Sequence, residues 1–292
     1  MPDFPRLIKQ VVEPQNVIEG AGVRLQRAFG PSRANPLDPF LLFDHFHFDN
    51  ALEGPISGFP THPHRGIETV SYILEGGVRH RDSLGHTGII GAGDVQWMTS
   101  GRGILHEEMP KRGPDGVITG FQLWVNLPAA KKMVPPRYQE VNAQSIPTVQ
   151  NEGIKVRVIA GTYEGVQGPV TEIAANPLYL DVQLKPGVEI VLPTPLGHTV
   201  MAYLFKGGGW FGVADGLRGS QVTAVHMVIF DDGDHMRVRA ADDTVARFIV
   251  IAGAPFKEPI FPYGPFVMNS PEEIMQAFED LRNGTFVKDS PI

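Results

Sequence analysis

Two short strings in this sequence combine residue types that bind divalent metals: His62-Pro63-His64 and His106-Glu107-Glu108. Side chains alternate faces along an extended strand, so His62 and His64 can aim together, and His106 and Glu108 likewise. Three imidazoles and a carboxylate meeting at one point suit borderline divalent ions such as iron, manganese, cobalt, nickel, copper or zinc. With four protein ligands, a six-coordinate Fe(II) keeps two positions for a substrate oxygen and for dioxygen or water. A tetrahedral zinc is saturated, hence structural. The same residues therefore make an enzyme with one ion and a quiet site with another. Alternation turns Glu107 away from the metal as a solvated acid, and Glu68 is expected to orient a ligand histidine. Asp44-His45-Phe46-His47 holds another His-x-His, which could form a second site with Asp44 or Asp49, but no other cluster points to it. The isolated His80, His86, His198, His226 and His235 are expected to be hydrogen-bonded surface or core residues.

The elements that must position these residues are short. The chain has 33 Gly and 26 Pro among its 292 residues, and they punctuate many brief apolar runs. Ile67 to Leu74, Gly120 to Leu127, Lys155 to Ala160, Leu178 to Leu184 and Ala246 to Ala252 are rich in β-branched or aromatic residues and bounded by turn formers, which predicts strands of sandwiches or barrels. Gly101-Arg102-Gly103 reads as a tight turn that brings His106 to a barrel mouth. Trp97, Met98, Phe121 and Trp124 lie near the motif and could line a pocket for a flat aromatic ligand or fill ordinary core. Only the end of the chain has helical signals. Ser270-Pro271-Glu272-Glu273 has capping-box spacing, Ile274, Phe278 and Leu281 share a face, and Asn283-Gly284 is a stop.

An internal repeat divides the chain. Residues 72–77 (YILEGG) align with residues 203–208 (YLFKGG), and Gly93-Asp94 has a counterpart in Gly233-Asp234. The polar, proline-bearing stretch from Pro135 to Gln150 is the expected connection. This gives an all-β protein of two barrels, 1–141 with the metal and 142–292 without it, the latter ending in a helix. In the second copy the positions of the ligand motifs offer only His198 and Ala246.

A net charge of −7 and a pI near 5.8 provide no basic footprint for nucleic acid or an anionic membrane. The absence of cysteine excludes disulfides, thiolate ligands, iron–sulfur clusters and a cysteine nucleophile. No apolar window reaches the length of a membrane span. A soluble, cytoplasmic protein is expected.

The strings HPHRGIETVSYILEGG (62–77), GHTG (85–88), GDVQWMTSGRGILHEEMP (93–110), GPFVMNSPEEI (264–274) and LDPFLLFDHF (37–46) resemble the pirin family of the cupin superfamily, over nearly the whole chain. General cupins take their carboxylate ligand from the first motif, here Glu68, whereas pirins take it two residues after the second-motif histidine, here Glu108. Extra residues before Gly76 and between Gly93 and His106 depart from general cupin spacing and favour the pirin pattern. The resemblance implies a bicupin of two jelly-roll-like barrels with one divalent metal, usually Fe(II), held by His62, His64, His106 and Glu108. It also implies dioxygenase action on a flavonol such as quercetin, with Glu108 as both ligand and base. The alternative it carries is a non-enzymatic, metal-dependent coregulator acting through a protein partner, nuclear in a eukaryote. Lys131-Lys132 is too short for a nuclear-import cluster. The expected partners are a small flavonol-like aromatic and O2, with no direct nucleic acid contact, and a monomer is expected.

Overall fold

The computed structural model describes residues 4–49, 58–112 and 116–288, the side chains of 48 and 49 excepted. The chain forms two compact units whose ends are exchanged. The first unit is Gln15–Ala143 with the segment from Phe256 onward, and the second is Gln144–Pro255 with the residues before Gln15. A single cut near Val141 therefore does not describe them. The physical reason is pairing far along the chain: Ile8–Val12 adds a strand to His226–Phe230, while the terminal segment packs on Ile67 and Leu41.

The first unit faces a seven-stranded antiparallel sheet with a four-stranded one. The order in the larger sheet is Arg137–Val141, Val95–Thr99, Ile67–Glu75, Val117–Asn126, Phe40–Asp49, Val23–Phe29, Gln15–Glu19; in the smaller it is Phe59–His64, Ile104–Lys111, Gly77–Asp82, Thr87–Gly91. The second unit repeats the plan. Its long strand Thr199–Phe211 pairs with His226–Phe230 and Ala246–Gly253 at one end and with His235–Ala240 and Ser220–Thr223 at the other. Apolar side chains from both of its faces, including Val158, Leu180, Leu204, Phe211, Val238 and Phe248, meet in one buried cluster. The repeat seen in sequence has a backbone cause: Gly76 and Gly207 both hold φ near the left-handed region, at 75° and 78°, where a side chain would be strained.

The predicted strands are all present, as Ile67–Glu75, Val117–Asn126, Ile154–Ala160, Leu178–Leu184 and Ala246–Gly253. The helix is Pro271–Asn283. Ser270 Oγ accepts from the Glu273 backbone N–H, Glu273 returns the bond to the Ser270 N–H, and Gly284 closes the helix at φ 70°. It packs Ile274 and Ala277 against the hairpin Phe261–Tyr263/Phe266–Met268. Among the described residues, no helix is long and apolar enough to cross a membrane.

Candidate metal centre

Strand register brings the two motifs together. Phe59–His64 pairs antiparallel with Ile104–Lys111 so that His62 lies opposite His106, and an irregularity between His106 and Glu108 sets Glu108 opposite Phe59. A ligand nitrogen of each of His62, His64 and His106 lies within 4.8 Å of the others, with ring centroids 4.4 to 5.0 Å apart. Glu108 is not in this tight group. Its carboxylate accepts from Ser71 Oγ at 3.1 Å, on the wall of the same cavity that His62 and His64 line.

The arrangement fits a divalent cation. His62 Nδ1 is 2.9 Å from the Pro60 carbonyl and His64 Nδ1 is 3.2 Å from the Pro265 carbonyl. A carbonyl only accepts, so each Nδ1 carries the proton and each Nε2 presents a lone pair. Those two Nε2 atoms stand 3.1 Å apart, a repulsive pairing that a shared cation relieves. Among the described residues, neither ring nitrogen of buried His106 has a hydrogen-bond partner. Burial, reinforced by His62, pulls the His64 pKa down to about 3, and burial together with the neighbouring histidines holds His106 well below its ordinary value. His64 and His106 are thus neutral, the ligating form. Burial pushes the Glu108 carboxyl above its usual range, against the opposing pull of His62 and Ser71.

The terminal segment completes the site from far along the chain. Besides the Pro265 carbonyl on His64, Lys132 Nζ donates to Gly66 O, Asn126 Oδ1 and Val267 O at 2.7 to 2.8 Å. Lys132 is 1 % exposed, and burial lowers its pKa to about 7. Arg65, the neighbour of His64, pairs with Asp280 at 2.7 Å and lies over the Phe286 ring. Gly66 is required here: at φ 81°, an added Cβ would sit 2.2 Å from the Val267 carbonyl oxygen.

The cavity has a volume of about 580 Å³ and is lined mainly by apolar groups, among them Leu25, Leu42, Phe46, Ile73, Val78 and Trp124. Of the four candidate lining residues only Trp124 lines it. Trp97, Met98 and Phe121 are buried, Trp97 on Glu68 and Phe121 stacked on Phe43. Glu68 corrects another expectation. It accepts from Trp97 Nε1 at 3.1 Å and Thr99 Oγ1 at 2.8 Å and orients no ligand histidine, because it lies an odd number of residues from Ser71 and so on the opposite sheet face. Glu107 faces Arg79 and Arg81. The His45-x-His47 string forms no cluster among the described side chains: Asp44 grips Arg27, His45 packs on Phe121 and His47 bonds Thr119, while the Asp49 side chain lies outside the described ones.

Sequence reasoning missed Ser71, Gln122, Pro265, Lys132 and His80. His80 is buried beside Glu108 by register and bonds Glu140 at 2.8 Å. Alternation along VRHRD was its only available signal; for Pro265 and Lys132 there was none, since their partners are not local.

The Pirin family profile matches residues 22–125, and that of the pirin C-terminal cupin domain matches 179–287. A pirin-like protein of Caulobacter vibrioides is 45% identical, covering 96% of this chain and 99% of its own. Human pirin is 44% identical, over 91% and 88%. A crystal structure of quercetin 2,3-dioxygenase from Acinetobacter baumannii superposes with a TM-score of 0.88 at 33% identity, covering 98% of this chain and 99% of that one. Matched in both halves and nearly end to end by close relatives, the chain belongs to the pirin family, and its two barrels are cupin domains.

Proposed function

We propose that this protein is a metal-dependent dioxygenase that opens a flavonol-type ring, with Fe(II) as its working ion and Glu108 as fourth ligand and base. The observation that carries the reading is that two imidazoles aimed by backbone carbonyls stand on the wall of an apolar cavity beside a buried carboxylate. The similarity to a quercetin 2,3-dioxygenase structure supports it.

When bound, the divalent ion supplies Lewis acidity and a meeting place for substrate and dioxygen. The residues do the rest. His62 and His64 hold their Nε2 lone pairs inward because Pro60 and Pro265 hold the opposite nitrogens. The raised affinity of Glu108 for a proton suits it to take the proton of the hydroxyl beside the flavonol ketone and to return it to the product. Ser71 fixes one carboxylate oxygen while that happens. The apolar walls hold a flat ring system and exclude water. In the overall reaction, both oxygen atoms of O2 enter the opened ring product and one ring carbon leaves as carbon monoxide.

The test is anaerobic reconstitution with Fe(II), then addition of quercetin and air while flavonol absorbance and carbon monoxide are followed. Turnover that is lost in Glu108→Gln with metal retained is the expected result. Unchanged turnover in that variant removes Glu108 as base. Metal binding without flavonol loss across Fe, Mn, Co, Ni and Cu overturns the enzymatic reading in favour of a protein-binding role.

A further inference from the structure

The floor of the cavity carries a row of polar side chains in strict cross-strand register. Ser71 lies opposite Gln122, Gln122 opposite Asp44, and Asp44 opposite Arg27, across four neighbouring strands of the large sheet. At its metal side the row is joined by Ser71, whose Oγ lies 3.1 Å from Glu108 and 2.7 Å from Gln122 Oε1. At the other side, Arg27 Nε and Nη2 donate to the two Asp44 oxygens at 2.8 Å each, and Nη1 donates to Glu19 at 2.9 Å. All of these residues line the one cavity. With strands about 4.8 Å apart, the three steps from Ser71 to Arg27 span about 14 Å, the length of a flat three-ring molecule.

The far end of the row is chemically unlike a usual arginine site. The guanidinium faces two carboxylates, so its side-on edge is occupied and its charge is more than balanced. Burial pushes the Asp44 carboxyl above its usual range, and the bidentate bonds from Arg27 pull it back toward the ionised form. Carboxylates only accept hydrogen bonds, so this end welcomes hydroxyl hydrogens and repels a negative charge. Apolar neighbours such as Leu25 and Phe46 limit the screening of that repulsion.

We propose that the Ser71–Gln122–Asp44–Arg27–Glu19 row is a recognition track along which a flat, hydroxylated aromatic lies, and that its Asp44–Arg27–Glu19 end selects a neutral hydroxylated distal ring and rejects anionic conjugates. The inference rests on the flavonol-type reading of the cavity and adds to it a distal subsite and a charge rule. One negative charge, the ionised enol, belongs at the histidine end; a second at the far end is unfavourable.

The test measures binding without turnover. Fe(II)-loaded protein is titrated anaerobically with quercetin, its 4′-methyl ether and its 4′-sulfate, following quenching of tryptophan fluorescence, to which Trp124 in the cavity wall contributes. The sulfate is expected to bind at least about tenfold more weakly than quercetin, with the methyl ether between them. Glu19→Gln, at a half-buried rim position, removes one negative charge and narrows the sulfate gap, whereas Arg27→Gln removes the balancing cation and widens it. Equal affinities for quercetin and its sulfate, or a gap that neither variant moves, overturn the distal subsite while the flavonol reading stands. Failure of all three compounds to bind overturns both.

Discussion

The two barrels use one fold to opposite ends. In the second, side chains such as Leu180, Leu204, Phe211 and Phe248 fill the space between the sheets, and each is almost wholly buried. In the first, the same space is a cavity of about 580 Å³ with His62 and His64 at its wall and His106 beside them. The backbone device at the repeated glycines, Gly76 and Gly207, is shared. What differs is whether the inward positions carry apolar volume or groups that need a ligand. The strand framework is therefore indifferent to chemistry, and function was set by a handful of inward residues and by what holds them in aim.

That contrast predicts a graded series in metal content. The largest effect is expected from the His62→Ala/His106→Ala double substitution, which should abolish stoichiometric metal in elemental analysis while circular dichroism shows the β fold intact. Retained metal would break the contrast outright. Lys132→Met comes next. It leaves three buried acceptors without their donor, at a cost of about 1–3 kcal/mol each, and loosens the hairpin whose turn carries Pro265. Metal affinity should fall about 10- to 100-fold, the usual consequence of disturbing a partner that orients a ligand. Competition with a chelator measures it at a temperature where the variant is folded.

A smaller, continuous effect is expected from pH. In the metal-free protein His64 titrates near 3 instead of 6.5, and His106 is shifted the same way, so the unfolded chain binds more protons than the folded one between those values. Stability should be fully present above about 6.5 and decline as pH falls toward about 3. Denaturant midpoints across that window check it, and a midpoint that rises on acidification would contradict the burial of these imidazoles. The smallest effect on metal belongs to Leu180→Ala in the second barrel. It should cost about 2–5 kcal/mol of stability and leave metal affinity unchanged. A matching loss of metal would show that the two barrels are coupled more closely than their separate cores suggest.

Much of this was legible locally. The i, i+2 pairs His62/His64 and His106/Glu108 gave the face from which each side chain projects, the glycine-bounded apolar runs gave the strands, and Ser270 to Glu273 gave the helix start. These signals work because strand alternation and capping act over a few residues. The rest depended on partners that local periodicity does not specify. Glu68 was misassigned because its neighbours Trp97 and Thr99 come from an adjacent strand. Lys132 looked like half of a surface basic pair, yet it is buried among three carbonyl oxygens. The exchange of chain ends follows from pairings such as Ile8 with Phe230, which no window of sequence contains.

The carbonyl that aims His64 lies 201 residues downstream of it. A ribosome releases His62, His64 and His106 well before it releases Pro265, so the nascent first barrel can form strands but has neither the Pro265 carbonyl nor the Val267 acceptor for Lys132. The final orientation of the His64 ring is thereby made a late event in the life of each molecule, completed when synthesis has run past the terminal hairpin.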